Sequence, residues 1–290
     1  SVITEEILQF KDQPEERVFN YFLSRIWLNH FYGKSILGSE ENIEKLSVKD
    51  IENFHNRLYK SSNICVAIAG DLPKNYLEIL KNQQIYFSKN ESLSPKTIRK
   101  KDFSINSTKE IVLFEKIEFS RIYMGWQLPS SKNQRLILGF EILASILTDG
   151  RSSVLTKLLK EKNYLVESVY SDVSLGEFGS LFLIEASCLN ENILEVEKII
   201  NNVIKNLINC EKINNNDLKK AIRIVKSSYI FNLETVSQLT SYFGNHLLWG
   251  RQNPHEELER SFEYWSNSNN FKNLIKFLAK EKYTLIAKRK

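Results

Sequence analysis

Histidine is scarce in these 290 residues, and its placement excludes one common kind of metal site. The four, His30, His55, His246 and His255, include no two within three to five positions of each other, so no helix carries an imidazole pair on one face. Cysteine is scarce too. Cys65, Cys188 and Cys210 show neither metal-ligand nor redox spacing, and such an odd, scattered set reads as reduced structural thiols inside a cell. No apolar run approaches the roughly 20 residues that span a bilayer, so a soluble protein with no membrane partner is expected, and the reduced thiols point to the cytoplasm. Charge of one sign never gathers into a large block: 40 basic and 35 acidic residues are interspersed, and the clusters Arg99, Lys100, Lys101 and Lys288, Arg289, Lys290 hold no aromatics. A phosphate-tracking surface concentrates basic residues on one face, so nucleic acid is not an expected partner. A start Met, a signal segment and a domain-opening strand are also missing. The opening Ser1-Val2-Ile3-Thr4 reads as the middle of a helix, and the chain is expected to be a fragment of a longer protein.

What is present suits a folded chain. With 42% hydrophobic and 26% charged residues, it can bury one large core or two modest ones. Ile3, Ile7 and Phe10 form a helical stripe ended by Pro14, and a second helix is expected over 15–30 with Val18, Phe22 and Ile26 inward. Ser47 and Asp50 form an N-cap pair for a helix whose inner face is Ile51, Phe54 and Leu58. Residues 64–69 read as an apolar strand, and 76–80 as a short helix. Around Pro95 the chain turns polar, which places a linker there.

Beyond it, strands are expected over 110–114, 121–128, 166–173, 180–186 and 283–287. Helices are expected over 136–147 and 191–208, around Leu155 and Leu159, from Asp217, from Val236 through Leu247 to a Gly250 cap, and from Pro254. Grouped strands with helices over one face describe an α+β layer.

Several separated segments resemble one family, the pitrilysin, insulinase and mitochondrial processing peptidase group of M16 zinc peptidases. They are Val2-Ile3-Thr4-Glu5-Glu6-Ile7; His30-Phe31-Tyr32-Gly33 with Leu37-Gly38-Ser39-Glu40; Leu46-Ser47-Val48-Lys49-Asp50 leading to Tyr59 and Ala69-Gly70-Asp71; and Gly150-Arg151-Ser152-Ser153-Val154-Leu155 with Leu158, Glu161 and Leu165. The resemblance implies two M16-type α+β domains, each an antiparallel sheet covered by helices. Residues 1–90 would be the C-terminal part of a truncated first domain, 91–108 a linker, and 109–290 a complete second domain.

It further implies a zinc-dependent metalloendopeptidase that hydrolyses peptides or unfolded polypeptides between two such halves, with a second M16-type subunit, identical or different, as partner. The family's H-x-x-E-H motif, whose glutamate serves as general base, is absent from this chain, and its later glutamate ligand corresponds to Glu6. Helical geometry separates the two neighbours independently: at 100° per residue, Glu6 falls beside the Ile3, Ile7, Phe10 stripe while Glu5 points almost opposite.

One carboxylate does not retain zinc. The chain alone is therefore expected to be metal-free and inactive, with no catalytic residue of its own and zinc bound only in the intact protein. The family's substrate-positioning arginine and tyrosine fall at Val154 and Glu167, and the nearby Arg151, Tyr164 and Tyr170 take no role from the resemblance. That departure keeps open a non-catalytic peptide-binding or scaffolding subunit. A third reading, an unrelated ligand-binding domain, requires every matched segment to be coincidental. Of the histidines, His30 is expected to make a structural contact, His55 to face solvent, and His246 and His255 to cap helix ends or face solvent.

Overall fold

The computed structural model describes residues 2–60, 63–82, 108–209, 214–248, 250 and 254–290. The chain opens with helices α1 (Val2–Lys11), α2 (Pro14–Ile26), α3 (Glu40–Lys45), α4 (Val48–Leu58) and α5 (Tyr76–Asn82). Strands β1 (Lys109–Phe114) and β2 (Ser120–Leu128) lead to α6 (Gln134–Thr148), a π-helix (Thr156–Lys162), β3 (Ser168–Ser174) and β4 (Ser180–Cys188). Five helices follow: α7 (Ile193–Asn209), α8 (Asn215–Phe231), α9 (Val236–Leu248), α10 (Pro254–Ser266) and α11 (Ser268–Ile275). The last strand is β5 (Tyr283–Arg289).

Local chemistry explains many of these boundaries. Pro14 begins α2, where its missing N–H costs nothing. Ser47 and Asp50 close the expected capping box on α4. Asn133 and Asn267 accept backbone N–H groups at the starts of α6 and α11. Helix α2 stops at Ile26 instead of running to residue 30, because the chain turns through Asn29 at φ 64°. The helix expected around Leu155 and Leu159 is wound as the π-helix, with both leucines fully buried.

Contacts divide the chain into two units: residues 1–40, 102–227 and 255–290 in one, 41–101 and 228–254 in the other. Residues 1–40 thus cluster with the segment that the sequence reading set apart at 109–290. The linker expected at 91–108 lies, apart from Thr108, outside the described residues.

The first unit is built on a five-stranded sheet in the order β1-β5-β2-β4-β3. Three pairings are antiparallel, but β1 runs parallel to β5, so the expected all-antiparallel sheet is mixed at one edge. Helices cover both faces rather than one, since β2, β4 and β5 are apolar on both sides. On one face, Val18, Phe22 and Ile26 of α2 pack on Tyr123, Leu183, Tyr283 and Leu285. On the other, Phe140 of α6 and Trp126 of β2 both meet Phe182 of β4. Trp126 also donates its indole N–H to Leu278 O at 3.1 Å.

An ion pair pins α2 to the sheet. Arg25 donates to both carboxylate oxygens of Glu110 on β1, at 2.5 and 3.1 Å, and Tyr21 OH donates to the same group at 3.2 Å. The Arg25 guanidinium holds the Glu110 carboxyl below its ordinary 4.5. A depressed carboxyl contributes stability that is present above the unfolded value and lost as pH falls through the folded one. Glu110→Gln is therefore expected to cost about 1–2 kcal/mol at pH 7, allowing for the part-exposed guanidinium. The gap from wild type should narrow as pH falls below 4.5 and close as the folded carboxyl takes up its proton. Urea midpoints taken across pH 3–7 check this, and a gap that does not change with pH would sink the assignment.

The second unit departs furthest from expectation. Residues 64–69 form no strand: a strand exists only with a ladder partner, and among the described residues none pairs with them. They run instead beside α9, where the Cys65 thiol lies 3.9 Å from Gly244 O. Of the α4 face expected to point inward, Ile51 and Phe54 are exposed and Leu58 is half-buried, and on α9 Val236, Phe243 and Leu247 are exposed while Leu239 is half-buried. An amphipathic pattern specifies a face without supplying what covers it.

Candidate functional site

Glu6 lies on α1, whose buried residue is its neighbour Ile7. The Glu6 and Glu5 side chains are both exposed. No group of three or more His, Cys, Asp or Glu that could hold a metal ion exists among the described residues. A catalytic zinc takes three protein ligands, so the residues described here do not by themselves fit that metal.

The histidines are scattered. His30 is buried, and its Nδ1 accepts the Tyr32 N–H at 3.2 Å. Tyr32 in turn accepts the Phe178 N–H at 3.2 Å, and its ring fills the space a Cβ on Gly176 would need. The His30-Phe31-Tyr32-Gly33 segment thus anchors the β3–β4 hairpin. His55 is exposed and stacked on Tyr59, and His255 is exposed. His246 lies in the last turn of α9, near the helix end as expected, but is buried against Tyr242 rather than facing solvent. The Cys188 thiol is buried, which pushes its pKa up to about 11; Cys210 lies outside the described residues.

Around the Gly150 turn, Arg151 is exposed, and Tyr164 is exposed in the left-handed region at φ 53°. Glu167 is exposed and donates its N–H to Ser187 O, extending the strand pairing. None of these meets a reactive partner.

A different cluster forms where three strands bring distant residues into register. Tyr123 on β2 pairs with Glu185 on β4, which pairs with Tyr170 on β3. Glu185 Oε1 accepts from Arg121 Nη1 at 2.6 Å and from Tyr123 OH at 2.9 Å. Arg121 Nη2 lies 3.8 Å from Glu15 of α2. Burial and the neighbouring carboxylate raise the Tyr123 phenol well above its ordinary value, so at neutral pH it is a neutral donor.

Beside this row opens a cavity of about 400 Å³, lined by Phe19, Tyr123, Tyr170, Asp172, Leu183 and Glu185. Asp172 is exposed and makes no hydrogen bond or ion pair among the described residues. The cavity holds no nucleophile–base pair. Its aromatic walls and uncompensated carboxylate suit binding of a cation. A roomier cleft of about 580 Å³, lined by Gln127, Leu128, Phe178, Phe277, Lys280 and Glu281 among others, carries opposite charges that cancel, with Lys280 stacked on Phe277.

Sequence reasoning missed the smaller cavity. The signal available was the alternation on β3, where Ser168, Tyr170, Asp172 and Ser174 oppose Val169 and Val173. No local pattern announces that Tyr123 and Glu185 stand beside them.

Residues 45–225 match the family model described as "Peptidase M16 inactive domain", and the chain belongs to the M16 peptidase family. An uncharacterized zinc protease of Mycobacterium tuberculosis is 24% identical over 206 residues, covering 71% of this chain and 47% of that protein. The zinc protease PqqE of Helicobacter pylori is 23% identical over 254 residues, covering 82% of this chain and 54% of that protein. The chain thus spans about half the length of the curated relatives it matches. Its fold is similar to the crystal structure of a protease from Helicobacter pylori, with a TM-score of 0.83 at 20% identity over 99% of this chain and 70% of that one. No described helix is long and apolar enough to cross a membrane.

Proposed function

We propose that this chain is the part of a zinc-dependent metalloendopeptidase that does not itself hold the metal centre. The whole protein hydrolyses peptides or unfolded polypeptides in a chamber formed by two M16-type halves, identical or different, in the cytoplasm. Residues 1–90 belong to a first domain, 91–108 to a linker and 109–290 to a second domain. Glu6 supplies one carboxylate to a zinc whose remaining ligands lie outside these 290 residues.

One observation carries the reading: a chain of the M16 family, similar to named zinc proteases, brings no three His, Cys, Asp or Glu together to hold a metal ion among its described residues. The description of the matched model as inactive favours a second reading, a non-catalytic subunit that binds or scaffolds polypeptides for an active partner.

Metal content separates the two. The 290-residue chain is expected to purify without stoichiometric zinc and to show no chelator-sensitive cleavage of an unstructured peptide. Extended by whatever polypeptide is encoded upstream of Ser1, it is expected to hold one zinc and cleave. In that longer protein, Glu6→Gln should weaken zinc retention by at least about a hundredfold, beyond the 10–100-fold typical of losing an outer-shell partner. A longer protein that binds no zinc leaves the non-catalytic subunit as the account.

A further inference from the structure

We infer that the cavity beside β3 is a subsite for a basic side chain, arginine above lysine, of an extended polypeptide. The inference rests on the peptide-binding reading above and names which part of the polypeptide this chain selects.

The first support is charge. Glu185 is paired with Arg121, which also lies 3.8 Å from Glu15, whereas Asp172 has no hydrogen bond or ion pair among the described residues. The Asp172 carboxylate is thus left uncompensated at the cavity. Asp172 and Glu185 both line the cavity.

Shape and surface are the second support. Phe19 and Tyr123 stand 5.7 Å apart between ring centroids, and Tyr170, 61% exposed, forms the outer wall. A guanidinium plane stacks on such rings while its edge pairs with a carboxylate, a geometry an ammonium reproduces less well. Leu183 on the floor offers apolar contact for the side chain's methylene stem.

The third support concerns how the polypeptide is held. β3 is the outer strand of the sheet, where main-chain strand addition would ordinarily be available. Here the Ser171 N–H already donates to Thr148 Oγ1 at 3.0 Å, and the Ser171 hydroxyl to Ala144 O at 2.9 Å. That capping interrupts a continuous new ladder. Recognition at this edge therefore depends on the side chain that enters the cavity.

The test uses the full chain and fluorescence anisotropy with two unstructured peptides, identical except that one central arginine is replaced by glutamine, and N-acetyl-arginine amide as a free-cation competitor. The arginine peptide is expected to bind about tenfold tighter than the glutamine peptide, a margin that narrows with added salt. Asp172→Asn should erase the margin while leaving the glutamine peptide's affinity unchanged. Tyr170→Leu should narrow it, and circular dichroism confirms that both variants fold.

Equal affinity for the two peptides, or a margin that survives Asp172→Asn, overturns the subsite and leaves the peptide-binding reading standing. A competitor that binds as tightly as the arginine peptide shows a site for free cations and overturns the polypeptide assignment. Binding of neither peptide overturns both readings.

Discussion

Replacing Phe22 with alanine is expected to lower the stability of the sheet unit by about 3–5 kcal/mol, the range for a large aromatic deleted from a core that cannot collapse. Phe22 is fully buried, with ring centroids 5.2 Å from Tyr123 and 5.6 Å from Tyr283. It is the central contact of α2 with the face that also carries the Arg121–Glu185 pair. The loss should loosen α2 and with it α1, where Glu6 resides. Because the chain comprises two units, a single transition is not guaranteed. Hydrogen exchange of α2 amides is therefore the more specific measurement, and α2 protection equal to wild type would refute this account of how the helix is held.

Gly125→Val is expected to cost about 1–3 kcal/mol by the opposite route, overpacking. A Cβ at Gly125 would lie 2.5 Å from Ile26 Cδ1 and 2.8 Å from Phe22 Cζ, and both side chains are fully buried. Glycine at this point of β2 lets α2 approach the sheet closely. The two substitutions share one volume, so the double variant Phe22→Ala with Gly125→Val should be more stable than the sum of the single losses predicts, with a coupling of about 0.5–3 kcal/mol. Strict additivity, read from urea titrations of the four proteins, would show that the helix and strand do not compete for that space.

Much of the second half of the fold was legible in residue order. The strands expected over 110–114, 121–128, 180–186 and 283–287 are present, each extended by a residue or two, and the strand expected over 166–173 forms as Ser168–Ser174. The stripe Ile193, Val196, Ile200 and Val203 is buried along α7 as its spacing requires. These successes share a cause: a strand or helix buried on a continuous face writes that face into a short window of sequence. The same rule explains the failures. Ile51 and Phe54 obey helical spacing yet stay exposed, and residues 64–69 have strand composition yet no pairing. Periodicity reports what a segment can bury or pair with, and the partner must come from elsewhere.

The candidate site was less legible than the fold. Glu6 was reachable only through the family resemblance and helical phase, and the cavity at Tyr170 and Asp172 through neither. Residue order alone settled the Ser47–Asp50 cap, the helix start at Pro254 and the absence of a helical histidine pair, because each depends on neighbours within a few positions. Tertiary structure decided that β1 lies parallel to β5 some 170 residues later, that α2 crosses Gly125, and that Tyr123, Glu185 and Tyr170 share a row. Strand order and register are set by pairing between segments far apart in the chain, and a side chain's chemical surroundings come into being only when those segments meet.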